Sequence, residues 1–289
     1  MAIDPTTKLL GLIGDPVEHS LSPAMQNFIF KKLNLNYCYL AFRVNAEELK
    51  HALEGIRALR IAGVNVTVPH KQSVIRFLDE LDHEANILKA VNTIKNTDGK
   101  LIGYNTDGIG FRRSLKAQNI KLSGKRAVVL GAGGAARAAV YSLIMLGIGP
   151  MIIYNRTLSR AKELADEMRA STGFKAIHGR ELDDDQLLED LQSAQLLVNA
   201  TSVGMHPDVH SSPIKDVSAL HAGLFVYDLI YNPAKTKLLQ DAEKQGARIL
   251  NGLDMLIYQG IESLKIWTGV EIKEAPLKEL KDYLAKSMR

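Results

Sequence analysis

In "HSLSPAM" (residues 19–25), Ser20 and Ser22 sit beside Pro23 at what reads as a helix start. Ser22 there can act as a capping hydroxyl, followed by a proline whose missing N–H costs nothing. Two hydroxyls at a helix N-terminus can also hold an anion, because unpaired N–H groups and the helix dipole favour negative charge. The residues alone leave both readings open. Further polar residues gather at strand ends: Asn65 and Thr67 before Pro69, Lys71 after it, then Asn92, Asn105 and Asp107. Lys71 reads as lying in the first turn of a helix, where the dipole opposes an ammonium by about 0.3–1 kcal/mol. A neighbouring Asp107 would hold that lysine charged until a substrate intervenes. Such a pair could exchange a proton with a hydroxyl or a carbonyl. Spacing alone equally allows an ordinary surface lysine.

A second group of residues reads as a phosphate cradle. "VVLGAGGAARA" fits G-x-G-x-x-A at Gly131, Gly133 and Ala136, after an apolar strand and before a helix. Gly131 permits the tight turn, Gly133 lets the backbone approach a pyrophosphate, and Ala136 allows close helix–strand packing. The next strand ends in "YNRT", where an NAD-binding protein usually carries an acid for the ribose hydroxyls. Arg156 stands there instead, with Arg160 one helical turn on. Two guanidinium groups suit a 2′-phosphate, which selects NADP.

The elements that must position these residues alternate along the chain. "LLGLIG", "YCYLAFRV" and "AGVNVTVP" read as strands, and "AEELKHALEGIRAL" as a helix. The helix from Pro23 is expected to bury Met25, Phe28, Ile29 and Leu33, and "HKQSVIRFLDEL" to turn helical directly after Pro69. "AVNTIKNTDGKLIGYNTD" reads as a hairpin with Asp98-Gly99 at its turn. From about residue 125 a second series begins, with strands in "RAVVLG", "PMIIYNRT", "AQLLVNATS", "GLFVYDLIY" and "ARILNG". Helices follow the first two of these, another lies in "PAKTKLLQDAEKQG", and the chain is helical again after Gly252. This is an α/β pattern of two domains. The expected division is 1–107, completed by helices within 253–289, and 108–252.

The bulk composition narrows the function. A net charge of +4 over 289 residues, with no Lys/Arg run, does not suit a nucleic acid or a membrane surface. No apolar stretch approaches a membrane span and the N-terminus has no signal-peptide core, so a cytoplasmic protein is expected. The single cysteine, Cys38, cannot form an intrachain disulfide and reads as a buried, inert thiol. The eight histidines offer no convincing ligand set, so no metal is expected. His19 and His70 read as packing residues, and Asp183-Asp184-Asp185 as a solvated helix start.

"GDPVEHSLSPAM", "NVTVPHK", "AVNTI", "GYNTDGIGF", "GAGGAARA", "NRTLSR", "NATSVGM", "YDLIYNP" and "NGLDMLIYQG", in this order, resemble the shikimate dehydrogenase family from about residue 8 to residue 270. The resemblance implies an N-terminal α/β substrate domain with a mostly parallel sheet, a Rossmann-like NADP-binding domain, and an active site in the cleft between them. It implies NADPH-dependent reduction of 3-dehydroshikimate to shikimate, a step toward chorismate and the aromatic amino acids, by a monomer or homodimer. Ser20, Ser22 and Tyr231 match the hydroxyls that take the substrate carboxylate. Thr67, Lys71, Asn92, Asp107 and Gln259 match the residues at the ring hydroxyls, with Lys71 the acid/base and Asp107 its partner. Gly131, Ala132, Gly133, Gly134 and Ala135 match the cofactor loop, and Asn155, Arg156, Thr157 and Arg160 the phosphate clamp. Thr201, Ser202, Met205, Leu229 and Gly252 match positions at the cofactor. Relatives that also accept quinate tend to carry an acid after the "NR" pair, whereas Thr157 follows here. A non-catalytic sensor of the same fold would have lost Lys71 or Asp107, and both are present.

Overall fold

The run "LLGLIG" folds within strand β1 (Lys8–Gly14), whose last five residues are buried. Helix α1 (Ser22–Lys32), β2 (Tyr37–Arg43), α2 (Leu49–Ala58) and β3 (Gly63–Val66) follow. Next come a 3-10 stretch at Ser73–Phe77, β4 (Glu80–Leu81), α3 (His83–Leu88), β5 (Thr93–Thr97), β6 (Lys100–Tyr104) and α4 (Asp107–Ala117). The second series is β7 (Ala127–Leu130), α5 (Gly134–Met145), β8 (Met151–Asn155), α6 (Leu158–Thr172), β9 (Ile177–Glu181) and α7 (Asp184–Gln192). It continues through β10 (Leu196–Asn199), β11 (Phe225–Asp228), α8 (Lys237–Lys244) and β12 (Arg248–Leu250), before α9 (Leu253–Thr268) and α10 (Ala275–Ser287). This computed structural model describes residues 3–272 and 275–287. Two compact units emerge: residues up to Gly110 together with those from Ile257 on, and Phe111–Leu256.

The first unit is built on a six-stranded sheet in the order β2-β1-β3-β5-β6-β4. β1 pairs parallel with β2 and β3, while β5 runs antiparallel to both β3 and β6. The reversal between β5 and β6 comes from the tight turn at Asp98-Gly99, where φ is 52° and 89°. A two-residue turn of that kind needs left-handed backbone at both positions, which Gly99 and a small polar Asp98 supply. Helix α9 packs on this sheet: the Trp267 indole donates to the Ile94 carbonyl at 2.9 Å, and Gln26 donates to the Gly260 carbonyl at 2.9 Å. The fit depends on two glycines. A Cβ at Gly63 would lie 2.3 Å from the indole nitrogen, and one at Gly260 would lie 2.1 Å from the Met25 methyl.

Three sequence expectations for this unit are corrected. In α1 the buried apolar residues are Met25, Ile29 and Phe30, whereas Phe28 and Leu33 are only half-buried. Phe28 instead stacks on Tyr283 of α10, with ring centroids 4.7 Å apart. Cys38 is half-buried, because β2 is the edge strand of the sheet. No helix follows Pro69 directly; residues 68–72 form turns ahead of the 3-10 stretch, so Lys71 does not lie in the first turn of a helix.

The second unit has a wholly parallel six-stranded sheet, β12-β11-β10-β7-β8-β9. All four residues of β7, β10 and β11 are buried, as expected where helices cover both faces. This is the doubly wound order, in which the connections reverse direction between β7 and β10. Asp183 caps α7 by accepting the Gln186 N–H at 2.9 Å, so the Asp183-Asp184-Asp185 run is a helix start. β9 was not anticipated: Gly179 interrupts its apolar pattern. A Cβ there would lie 2.3 Å from the backbone of Ala161, so the glycine lets α6 pass close by.

Candidate active site

Lys71 is placed by its backbone. The Thr67 N–H donates to the Ile13 carbonyl at 2.9 Å, the His70 N–H to the Thr67 carbonyl at 2.9 Å, and the Val91 N–H to the Lys71 carbonyl at 2.7 Å. His70 is buried, and its Nε2 donates to the Val44 carbonyl at 2.6 Å, which pins the turn to the end of β2. The packing reading of His70 is therefore the one observed. From this turn Lys71 Nζ reaches Asp107 Oδ2 at 2.5 Å, with the side chains 17% and 7% exposed. Asp107 is the first residue of α4, where the dipole favours a carboxylate.

Asn92 fixes the other carboxylate oxygen, donating from Nδ2 to Asp107 Oδ1 at 2.8 Å and lying 3.3 Å from Gln259 Oε1. Its own Oδ1 accepts the Thr106 N–H at 2.8 Å and the Thr93 hydroxyl at 3.0 Å. Behind it, Asn65 Nδ2 donates to Thr93 and Ser263 hydroxyls, each at 3.0 Å, and Asn65 Oδ1 accepts the Tyr39 phenol at 2.7 Å. Burial pushes the Tyr39 phenol well above its usual range, and the Ser22 hydroxyl is its other hydrogen-bonding neighbour. A continuous buried polar chain thus runs from Tyr39 through Asn65, Thr93 and Asn92 to Asp107 and Lys71. Its members Thr93, Thr106 and Ser263 were not singled out from the sequence. Thr93 starts β5, Thr106 immediately precedes α4 and Ser263 lies in α9, and only the fold brings them together.

At the start of α1 the two serines exchange the parts expected of them. Ser20 Oγ accepts the Ser22 N–H at 3.2 Å, while Ser22 lies inside the helix, buried, with its hydroxyl toward Tyr39. Ser20 therefore serves the helix end and Ser22 does not cap it. Thr67 is half-buried at the end of β3.

In the second unit the glycine loop leaves β7 at the point where the strand order reverses, the usual ligand crevice of such sheets. Gly131 has φ of +104°, and a Cβ there would lie 3.0 Å from the Ala200 carbonyl. A Cβ at Gly133 would meet nothing within 4 Å, so a ligand can approach the backbone from that side. Gly133 caps α5 without a side-chain bond, leaving the N–H groups of Gly134 and Ala135 available to a phosphate. At the end of β8, Arg156 and Arg160 are exposed, and neither makes an ion pair among the described residues. Asn155 Nδ2 donates to the Thr157 carbonyl at 3.0 Å and shapes that turn. These features fit a dinucleotide with a 2′-phosphate.

Thr201, Ser202 and Met205 form the loop after β10, and Leu229 and Tyr231 follow β11. Gly252 approaches that segment closely: its N–H donates to the Ile230 carbonyl at 3.0 Å, and a Cβ would lie 2.0 Å from the Leu229 carbonyl. Among the described residues, no helix is long and apolar enough to cross a membrane.

Three family models match successive parts of the chain. They are the shikimate dehydrogenase substrate-binding domain at 12–94, shikimate/quinate 5-dehydrogenase at 114–233 and the shikimate 5′-dehydrogenase C-terminal domain at 252–280. A shikimate dehydrogenase (NADP(+)) of Methanopyrus kandleri is 45% identical over 290 aligned positions, covering 100% of this chain and 99% of that protein. A crystal structure of a shikimate dehydrogenase in complex with NADP+ superposes with a TM-score of 0.90 at 44% identity, covering 100% of this chain and 98% of that one. The Thermus thermophilus enzyme in complex with NADP(H) and shikimate gives a TM-score of 0.83 at 37% identity, covering 94% and 98%. With its site geometry, its doubly wound second unit and full-length similarity of this order, the chain belongs to the shikimate dehydrogenase family.

Proposed function

We propose that this chain catalyses the reversible NADPH-dependent reduction of 3-dehydroshikimate to shikimate. The observation that carries the reading is the Lys71–Asp107 pair, held at 2.5 Å with its carboxylate fixed from behind by Asn92. The bound dinucleotide supplies or accepts the hydride. Lys71 handles the proton: in the reducing direction its Nζ–H polarises the carbonyl oxygen and passes it a proton, leaving a neutral amine beside Asp107. In the oxidising direction the amine takes the hydroxyl proton back. Asp107 keeps the ammonium aimed and balances its charge between turnovers.

Ser20, Ser22 and Tyr231 take the substrate carboxylate, and Thr67, Asn92 and Gln259 hold ring hydroxyls together with Lys71 and Asp107. Gly131 to Ala135 cradle the pyrophosphate, and Asn155, Arg156, Thr157 and Arg160 the adenosine 2′-phosphate end. Thr201, Ser202, Met205, Leu229 and Gly252 shape the nicotinamide end. The residues up to Asp107, with those from 253 on, serve the substrate, and 108–252 serve the cofactor. We place the protein in the cytoplasm, as a monomer or homodimer. The test is product identification: 3-dehydroshikimate incubated with NADPH should yield shikimate in equimolar amount with NADP+ by chromatography. Consumption of NADPH without shikimate, or no reaction at all, would contradict the assignment.

A further inference from the structure

We propose that Asp228 is a positioning residue whose buried carboxylate ties together the two strand-end loops carrying Thr201, Ser202 and Met205 on one side and Leu229 and Tyr231 on the other. What those loops hold rests on the function proposed above. How they are held rests on geometry alone.

Asp228 ends β11 and faces Asn199, which ends β10, in the sheet register; both are fully buried. Asp228 Oδ1 accepts Asn199 Nδ2–H at 3.0 Å and the Ile230 N–H at 3.1 Å. Its Oδ2 accepts the Thr236 hydroxyl at 2.6 Å. Asn199 passes the anchoring on, for its Oδ1 accepts both the N–H and the hydroxyl of Thr201, at 3.1 and 2.7 Å. Thr201 Oγ1 then accepts the Val203 N–H at 3.2 Å. On the other side, Thr236 Oγ1 accepts the Leu239 N–H at 3.3 Å in the first turn of α8. One carboxylate therefore fixes the start of both loops and the helix that closes the second.

The chemistry of the donors explains the residue type. Ile230 and Asn199 can only donate to Oδ1, and Thr236 donates to Oδ2, so the position needs acceptors at both tips. Among the described residues Asp228 makes no ion pair, and burial pushes its carboxyl up to about 6 against the pull of the three donors. A buried charge without a cation is a costly way to fill space, and an apolar side chain would fill it at lower cost. The bonds it makes are what distinguish it from filler. Asparagine can keep both bonds at Oδ1 and must only reverse the hydroxyl of Thr236. Alanine keeps none.

The test compares Asp228→Ala, Asp228→Asn and Asn199→Ala with the parent protein in steady-state kinetics on shikimate and NADP+, alongside calorimetric binding of 2′,5′-ADP. That probe reports the Arg156 and Arg160 end of β8, which the network does not reach. Asp228→Ala is expected to lower kcat/KM by about 10- to 100-fold, the scale of a small misplacement of reacting groups, with 2′,5′-ADP affinity kept within about twofold. Asp228→Asn should retain kcat/KM within about threefold, since two of three bonds survive. If Asp228→Ala fails to fold, Asn199→Ala carries the test, because it breaks the path from Asp228 to Thr201 and leaves the Ile230 and Thr236 bonds to Asp228 in place; about a tenfold fall in kcat/KM is expected. Unchanged kcat/KM in the variant that folds would overturn the proposal, as would 2′,5′-ADP affinity lost in step with activity, or Asp228→Asn falling as far as Asp228→Ala. A parent protein that binds 2′,5′-ADP yet does not oxidise shikimate would instead overturn the functional reading.

Discussion

Replacing Lys71 with alanine removes the ammonium that contacts Asp107, and the structure sets the size of two separate effects. The first is on chemistry. With Nζ 2.5 Å from Asp107 Oδ2, the lysine is the proton donor of the pair. A positioned general acid/base contributes about 10²–10⁴ in rate, or about 3–5.5 kcal/mol of barrier. The loss should fall on kcat, with KM for shikimate changed little, because Asn92, Gln259 and the serines remain. The second effect is on stability. Truncation leaves Asp107 without its cation, though Asn92 still donates to Oδ1. Broken buried pairs cost about 3–5 kcal/mol and exposed ones under about 1, and this pair lies between those limits. A destabilisation of about 1–3 kcal/mol is expected in urea titration. Adding Asp107→Asn should recover part of that stability by removing the orphaned charge, and should not recover turnover. Stopped-flow absorbance at the nicotinamide band gives kcat, and single-turnover runs isolate the hydride step. If Lys71→Ala kept turnover within tenfold and only KM rose, Lys71 would be a binding residue and the proton-transfer role would be wrong.

Ser20→Ala should cost stability by about 0.5–2 kcal/mol, because the Ser22 N–H loses its acceptor at the helix end. Ser22→Ala should act on shikimate KM, by about 1.5–3 kcal/mol for a bond to a charged group, and equal melting shifts without a change in KM would refute the carboxylate role. Arg156→Ala should lower kcat/KM for NADP+ by one to two orders of magnitude while leaving NAD+ nearly unaffected, since about 1.4 kcal/mol is tenfold; a double variant lacking Arg160 too that kept the parent NADP+ to NAD+ ratio would remove the basis of the clamp. Asp228 gives a pH dependence with a definite sign. Its carboxyl is raised from 3.8 to about 6 in the folded state, so the stabilising contribution is full below 3.8 and is lost as pH rises through about 6. The loss should approach about 3 kcal/mol. Asp228→Asn should therefore gain stability relative to the parent between pH 4 and 7, and a pH-independent difference would contradict the burial argument.

Much of this site was legible because its residues are local to motifs. Gly131, Gly133, Arg156 and Arg160 read as a phosphate cradle from spacing, and strand, turn and helix fall where that reading requires. The Asp98-Gly99 hairpin was readable for the same reason, since the turn type demands those residues. What spacing could not supply is where the backbone goes between motifs. The apolar rhythm of "SVIRF" resembles a helix, yet residues 68–72 are turns, anchored by the Thr67 bond to Ile13 and the Val91 bond to Lys71, so Lys71 is aimed by long-range pairing and not by a helix of its own. Ser22 followed by proline has the look of a cap, but Ser22 is itself the first residue of the helix and its N–H donates to Ser20 Oγ. Asp228 lay in a run read as a strand and in the motif "YDLIYNP", with no role of its own. Its donors Asn199 and Thr236 come from β10 and from the approach to α8, and no local pattern links them.

The central claim is that Lys71 and Asp107 serve shikimate while Arg156 and Arg160 select the 2′-phosphate, and one absorbance assay tests it most directly. Shikimate and quinate are each offered to the protein with NADP+ and with NAD+, and the rise in reduced nicotinamide is followed. The account predicts that shikimate with NADP+ is the preferred pair, with NAD+ weaker by at least about tenfold, the equivalent of a single charge-assisted contact. Equal rates with NAD+, or quinate oxidised as well as shikimate, would contradict it.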